Sequence, residues 1–249
     1  MHKEHKQIVN GAEKAVLLVH GIVGTPNHFA PLLPLIPDGV SVHNLLLDGH
    51  GKGVKEFSKT SMKIWENQVR TAAEALTRTH EKVYIVGHSL GSLLAIDAAM
   101  QNPRICKLFL LAVPLHLLIK PRMFRNAWRV NTGKIDPKDP VAVAAQACCG
   151  VTPSRNLLLY LGWIPRYLEL FAKIRKTRKQ LPKLETACLA FQSAKDEMVS
   201  LRAAKLLAKA PCICVGMLKH SGHYYYEERD LLQLKEAFSQ WIAGEDADL

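Results

Sequence analysis

The chain has 249 residues, of which 48% are hydrophobic and 22% charged, so it can bury a sizeable core and is not a disordered polymer. Its formal net charge is +11, and the excess is local: between Leu115 and Glu185, 14 Lys/Arg stand against 4 Asp/Glu, leaving a net of +1 elsewhere. The most apolar stretch, "NLLLYLGWIPRYLELFAKI", is broken by Gly162, Pro165, Arg166 and Glu169, which excludes the roughly 20 apolar residues of a membrane span.

The opening "MHKEHKQIVNG" is polar and lacks the apolar segment of a secretory signal, so a cytoplasmic protein is expected. The six cysteines agree, since none forms a CxxC or pairs with His at zinc-ligand spacing; reduced core thiols and no metal or organic cofactor are expected. The first strand is Ala15–Val19, followed by a helix over about Asn27–Ile36 and a strand over Val40–Leu47. A helix over Ile64–His80 precedes the strand Val83–Val86, and a helix over Leu90–Gln101 precedes the strand Leu108–Ala112. Here the alternation stops. "DPVAVAAQACCG" reads as a helix with Asp139 as cap, Pro140 at the first position and Gly150 just past the end. Ser154 is a candidate cap for a further helical stretch, kinked or split at Pro165. Alternation resumes with strands at Ala187–Phe191 and Ile213–Met217 and helices at Arg202–Ala208 and about Asp230–Ile242. The expected fold is α/β: a mostly parallel sheet flanked by helices, with residues 1–114 and 186–249 as core and 115–185 as an inserted helical, basic cap.

One turn in this pattern carries chemistry. "VYIVGHSLGSLLAIDAAM" passes from a strand-like to a helix-like run across Gly87-His88-Ser89-Leu90-Gly91, a G-x-S-x-G nucleophile elbow. Glycines on either side permit a tight turn that lifts Ser89 to the start of a helix, where free N–H groups favour negative charge. The plainer alternative is that Ser89 only caps that helix. A serine nucleophile needs a base and an acid to orient it, in the chain order Ser, Asp/Glu, His. "ACLAFQSAKDEMVS" supplies Asp196 and Glu197 past a late strand, and "ICVGMLKHSGHYYYEERD" supplies His220 and His223 past the last one. Asp196 is preferred for its short, easily held side chain, with Glu197 as a solvated charge. His223 is preferred because Ser221-Gly222 turns it in just before the final helix, leaving His220 on the surface. The oxyanion donors expected are the backbone N–H groups of Leu90 and, in "LLVHGIVGTPNHF", of Ile22; His20 braces that loop and His88 packs or hydrogen-bonds.

Together "HGIVGTP", "DGHGKG", "GHSLG", "KDEMVS" and "SGH", in that order, resemble the α/β-hydrolase superfamily, and within it the small capped bacterial carboxylesterases related to monoacylglycerol lipases. The resemblance covers Ala15 to about Pro114 and Ala187 to Ile242. It implies Ser89 as nucleophile, His223 as general base and Asp196 as its orienter, with Ile22 and Leu90 forming the oxyanion hole. It implies cleavage of short- to medium-chain acyl esters through an acyl-enzyme intermediate. Acyl-thioester or C–C bond hydrolysis by the same triad is the nearest alternative, and a non-catalytic ligand-binding homologue a further one. Asp48 and His50 fall in a structural loop, where a partly exposed His50 can brush substrate. Ser92 stands where the family often has a further glycine, and should be harmless.

The segment 115–185 carries no usable resemblance. Leu157, Leu158, Leu161, Trp163, Ile164, Leu168 and Phe171 fall at helical spacings; at least half are expected to pack on the core and the others to line an acyl tunnel. Basic runs at Lys120–Arg129 and Lys173–Lys179 read as solvated faces that also draw anionic or lipid-like esters. The expected partner is therefore a small-molecule acyl ester, with weak association to an anionic bilayer surface but no stable insertion. Nucleic acid is excluded as a partner because no recognition motif accompanies the charge.

Overall fold

A computed structural model describes residues 2–244. Its elements, in chain order, are β1 (His5–Gln7), β2 (Lys14–Val19), β3 (Ser41–Leu45), α1 (Val54–Lys59), α2 (Met62–Thr79), β4 (Lys82–His88), α3 (Leu90–Gln101) and β5 (Ile105–Leu111). Next come α4 (Pro121–Thr132), α5 (Pro140–Ala147) and α6 (Ile164–Gln180), all without an intervening strand. The chain closes with β6 (Ala187–Ser193), α7 (Arg202–Leu207), β7 (Ile213–Leu218) and α8 (Glu228–Ala243).

The seven strands form one sheet in the order β1-β3-β2-β4-β5-β6-β7, parallel throughout except for β1, which runs antiparallel to β3. The fold is thus the expected α/β class. Both faces of the sheet are covered, so the central strands are apolar without alternation: Ala15–Val19 are fully buried. One face packs on α2 and α3 through Leu17, Ile85, Leu93 and Trp65, and the other on α8 through Val16, Val86, Phe109 and Phe238.

Several local expectations change. The helix over Asn27–Ile36 is instead two 3-10 turns, Pro26–Phe29 and Leu33–Leu35. Pro31 and Pro34 each remove an N–H that a continuous helix over these residues would need. β1 and α1 were not anticipated: the first is three exposed polar residues and the second only six residues long. Asn156, not Ser154, caps the stretch after α5, accepting from the Leu158 N–H, and Pro165 lies in the first turn of α6. Gly150 is not a helix cap. Helix α5 ends in right-handed geometry at Cys148, while a Cβ on Gly150 would sit 1.7 Å from the Gly24 carbonyl oxygen. All six cysteines are free, but Cys106 and Cys214, each the second residue of its strand, are exposed.

The apolar stripe differs most. Residues Leu157–Trp163 form a 3-10 helix, with three residues per turn. That period turns Leu157, Tyr160 and Trp163 towards an internal cavity and leaves Leu158 and Leu161 facing out. The outward strip continues on α6 at the helical steps Ile164, Leu168 and Phe171, all exposed, while Leu170, Ile174 and Thr177 face the core. Six of the seven stripe residues are therefore exposed, against the expectation that at least half would pack on the core. Only Leu157 and Trp163 line the cavity.

Candidate active site

The elbow is as tight as its sequence requires. A Cβ on Gly91 would lie 1.9 Å from the Val19 carbonyl oxygen and one on Gly21 would lie 2.9 Å from the Ser89 Cβ, so only glycine lets these segments close on one another. Ser89 itself has φ 53°, and the other positive-φ residues that are not glycine, Val23 and Ala112, lie in loops at the same carboxyl end of the sheet. Strain concentrated at one rim is the pattern of a working site. Ser89 makes no side-chain capping bond to α3, so helix capping does not account for it. Its backbone N–H donates to the Leu111 carbonyl at 2.9 Å, tying the elbow to β5. Ser92, the departure from the family pattern, is absorbed: its hydroxyl lies 2.9 Å from the Gly87 carbonyl and 3.0 Å from that of Leu111.

Asp196 and His223 meet. His223 Nδ1 is 2.8 Å from Asp196 Oδ2, with both side chains almost wholly buried. The other carboxylate oxygen, Oδ1, accepts from the Met198 and Val199 N–H groups at 2.7 and 2.8 Å, so the acid is held by its own loop. Burial pulls the His223 pKa down, but the charge of Asp196, its hydrogen bond and the charge of Glu197 outweigh burial and raise it above the ordinary 6.5. Among the described residues no hydrogen bond joins Ser89 to His223; such contacts commonly tighten only when substrate arrives. The link between elbow and base runs through His88, whose Nε2 donates to the His223 carbonyl at 3.0 Å.

Leu90 opens α3, so its N–H has no carbonyl one turn back to bond. Ile22 lies in the turn closed by Gly24 N–H to the Gly21 carbonyl at 3.0 Å. His20 braces that loop as expected: its Nε2 accepts from the Leu47 N–H and its Nδ1–H donates to the Gly21 carbonyl.

Of two expectations about neighbours, that of a solvated Glu197 fails and that of a structural His50 holds. Glu197 is buried, not solvated, and its Oε2 accepts from the His223 N–H at 2.8 Å, because the loop after β6 folds under the His223 turn. His50 is 2% exposed, sealed between His20, Phe57 and Trp65, so it is structural and out of reach of substrate. Burial lowers its pKa to about 4. Behind the elbow, His28 stacks on His88 with ring centroids 3.6 Å apart. Burial, then the nearby His223, lowers His28 to about 3, and burial with the two neighbouring imidazoles takes His88 well below 6.5. Both rings are neutral spacers. His28 carries no sequence signal, since its partner lies 60 residues on.

From Ile22 and His223 a cavity of about 400 Å³ extends beneath α4, α5 and the 3-10 helix, lined mainly by apolar side chains such as Met123, Val130, Val151 and Trp163. Its volume and apolar lining with a few polar groups suit a small-molecule site. The helical segment is laced to the catalytic rim: Gly150 N–H donates to the Val23 carbonyl at 2.7 Å, and Lys120 N–H to the Glu197 carbonyl at 2.8 Å. Among the described residues no cluster of His, Cys, Asp or Glu is arranged to hold a metal ion.

A mostly parallel sheet covered by helices, with a positive-φ serine turn after its third parallel strand and a buried Asp–His pair on loops at the same carboxyl rim, agrees with the α/β-hydrolase class. The alpha/beta hydrolase family pattern matches residues 16–236, and the chain belongs to that family. It is 30% identical over 112 residues to the thermostable monoacylglycerol lipase of Bacillus sp. (strain H-257), covering 41% of this chain and 45% of that one. It is 27% identical over 106 residues to the uncharacterized hydrolase YugF of Bacillus subtilis (strain 168), covering 42% and 37%. The chain thus matches under half the length of these relatives. Among solved structures, the metagenome-derived lipolytic enzymes LipS and LipT give a TM-score of 0.73 at 19% identity over 98% of both chains. The Paleococcus ferrophilus monoacylglycerol lipase gives 0.68 at 19% identity over 98% and 99%. The meta-cleavage product hydrolase of Pseudomonas fluorescens IP01 gives 0.68 at 14% identity over 97% and 93%.

Proposed function

We propose that this hydrolase is a serine carboxylesterase of monoacylglycerol-lipase type, acting on short- to medium-chain acyl esters, with residues 115–185 as its cap. The carrying observation is the buried His223–Asp196 pair at 2.8 Å, tied through His88 to the turn of a positive-φ serine that does not cap its helix. In this reading Ser89 Oγ attacks the ester carbonyl while His223 Nε2 takes its proton. The tetrahedral oxyanion is met by the Leu90 and Ile22 N–H groups, and collapse breaks the ester bond as His223 returns the proton to the leaving alcohol. Water then attacks the acyl-enzyme by the same steps. Asp196 keeps the His223 Nδ1 proton in place, so that Nε2 stays the basic nitrogen.

The test is turnover of a p-nitrophenyl ester series, with fluorophosphonate labelling as the count of nucleophiles. Ser89→Ala should abolish both, and Asp196→Asn should lower kcat by about 10⁴-fold while the fold persists. Full activity in either variant would overturn the assignment. Thioester substrates run alongside separate an esterase from a thioesterase.

The outer surface of the cap supports a second element of the reading, weak docking to an anionic lipid surface. Phe124, Trp128, Leu157, Leu158 and Leu161 are all more than half exposed, and Trp128 and Leu157 also line the cavity. Arg122 and Arg125 are exposed on α4 beside them and form no ion pair among the described residues. Apolar and cationic side chains together match a bilayer interface carrying negative charge.

A further inference from the structure

Of the α4 residues that line the cavity, Met123, Asn126, Ala127, Val130 and Asn131 fall at the spacing of one helix face, with Trp128 at its edge. Two of these five are amides, and they differ. Asn131 is satisfied, its Oδ1 accepting from the Tyr160 hydroxyl at 2.8 Å. Asn126 is only 6% exposed yet lines the cavity, its Oδ1 is sealed from solvent with no partner, and among the described residues its side chain makes no hydrogen bond. The rest of the lining is mainly apolar, and the Glu197 carboxylate that also lines the cavity has its Oε2 taken by the His223 N–H. A buried amide with no hydrogen bond destabilises the free protein, and Leu would fill the same volume without that penalty.

We infer that Asn126 is a specificity residue: a polar subsite in an otherwise apolar cavity, which binds a hydroxyl group carried by the substrate away from the scissile carbonyl. A hydroxyl is the matching chemistry because it can accept from Nδ2–H or donate to Oδ1, whichever end of the amide meets it. The inference rests on the esterase reading for the orientation of the substrate, with its ester group at the His223 and Ile22 end. The hydroxyl can lie on the alcohol side or the acyl side of that ester.

Binding to the Ser89→Ala protein tests this without turnover, read by fluorescence of Trp128 and Trp163, which line the cavity. Three probes are compared: methyl octanoate, its terminal-hydroxyl analogue, and the octanoate monoester of glycerol. At least one hydroxylated ester should bind about tenfold tighter than methyl octanoate, equivalent to about 1.4 kcal/mol, and the one that gains identifies the side. Adding Asn126→Leu should erase that difference, with Asn126→Ala as the second variant and circular dichroism as the check on folding. No gain from either hydroxyl, or a gain that survives both Asn126 variants, overturns the subsite. Fluorophosphonate labelling of the wild type reports separately on the esterase reading, so the two can fail independently.

Discussion

At the residue scale, the site turns on how one imidazole is surrounded. His28 and His88 are neutral because burial removes the water that would stabilise their charge. His223 is equally buried, yet two carboxylates raise its pKa above 6.5. As a general base it must be neutral, so the acid limb of kcat/KM should lie above pH 6.5. Glu197→Gln keeps an acceptor for the His223 N–H but removes one negative charge, and should move that limb to lower pH. A pH–rate profile of the two proteins checks this, and an unmoved limb would show that Glu197 has no electrostatic role. The sign for stability is opposite: the raised pKa favours the fold below pH 6.5, and that contribution is lost as pH rises through the folded value.

Elements are fastened by charge where the sequence suggested a solvated basic face. Lys173 on α6 is 3% exposed and reaches Glu66 on α2 at 2.5 Å and Asp97 on α3 at 3.0 Å, while Lys176 also reaches Asp97 at 3.0 Å. Arg178 Nε donates to the Leu115 carbonyl, and Arg166 pairs with Glu169 while donating to the Ser58 carbonyl at 2.8 Å. Lys173, Lys176 and Arg178 thus pin α6 to the core, while Arg175 and Lys179 of the same run are exposed. Lys173→Ala would leave Glu66 and Asp97 close together without their shared cation, and should destabilise the protein by about 3 kcal/mol. Denaturant unfolding checks it. A change below about 0.5 kcal/mol would mean that solvent already screens the pair.

Over the whole molecule, charge and apolar surface are segregated onto the segment that covers the cavity. No helix among the described residues is long and apolar enough to cross a membrane, so any lipid contact through these helices is at a surface. Co-sedimentation should find the protein bound to phosphatidylglycerol vesicles more than to phosphatidylcholine vesicles, with binding weakened by salt. Leu158→Asp combined with Leu161→Asp should reduce it severalfold. Equal binding to both vesicle types, or none, would remove the lipid surface from the reading.

Periodicity and motif made the core legible in the sequence alone. Parallel strands buried on both faces must be continuous apolar runs, and the elbow, the acid and the base lie on loops whose order follows from that alternation. The strained turn at Ser89 and the pairing of Asp196 with His223 were therefore readable before any coordinates, while the roles proposed for them and for Ile22 and Leu90 await the experiments above. What only the tertiary structure decided depends on contacts between distant segments. Glu197 under His223, His28 against His88, and Lys173 between Glu66 and Asp97 have no local signature. The 3-10 geometry of Leu157–Trp163 changed the period itself, from 3.6 residues per turn to three, and so exchanged the inward and outward faces of the stripe. Asn126 is the clearest case. An asparagine in a basic helix is unremarkable as a letter, and acquires meaning only when the fold removes water from its amide and supplies no partner.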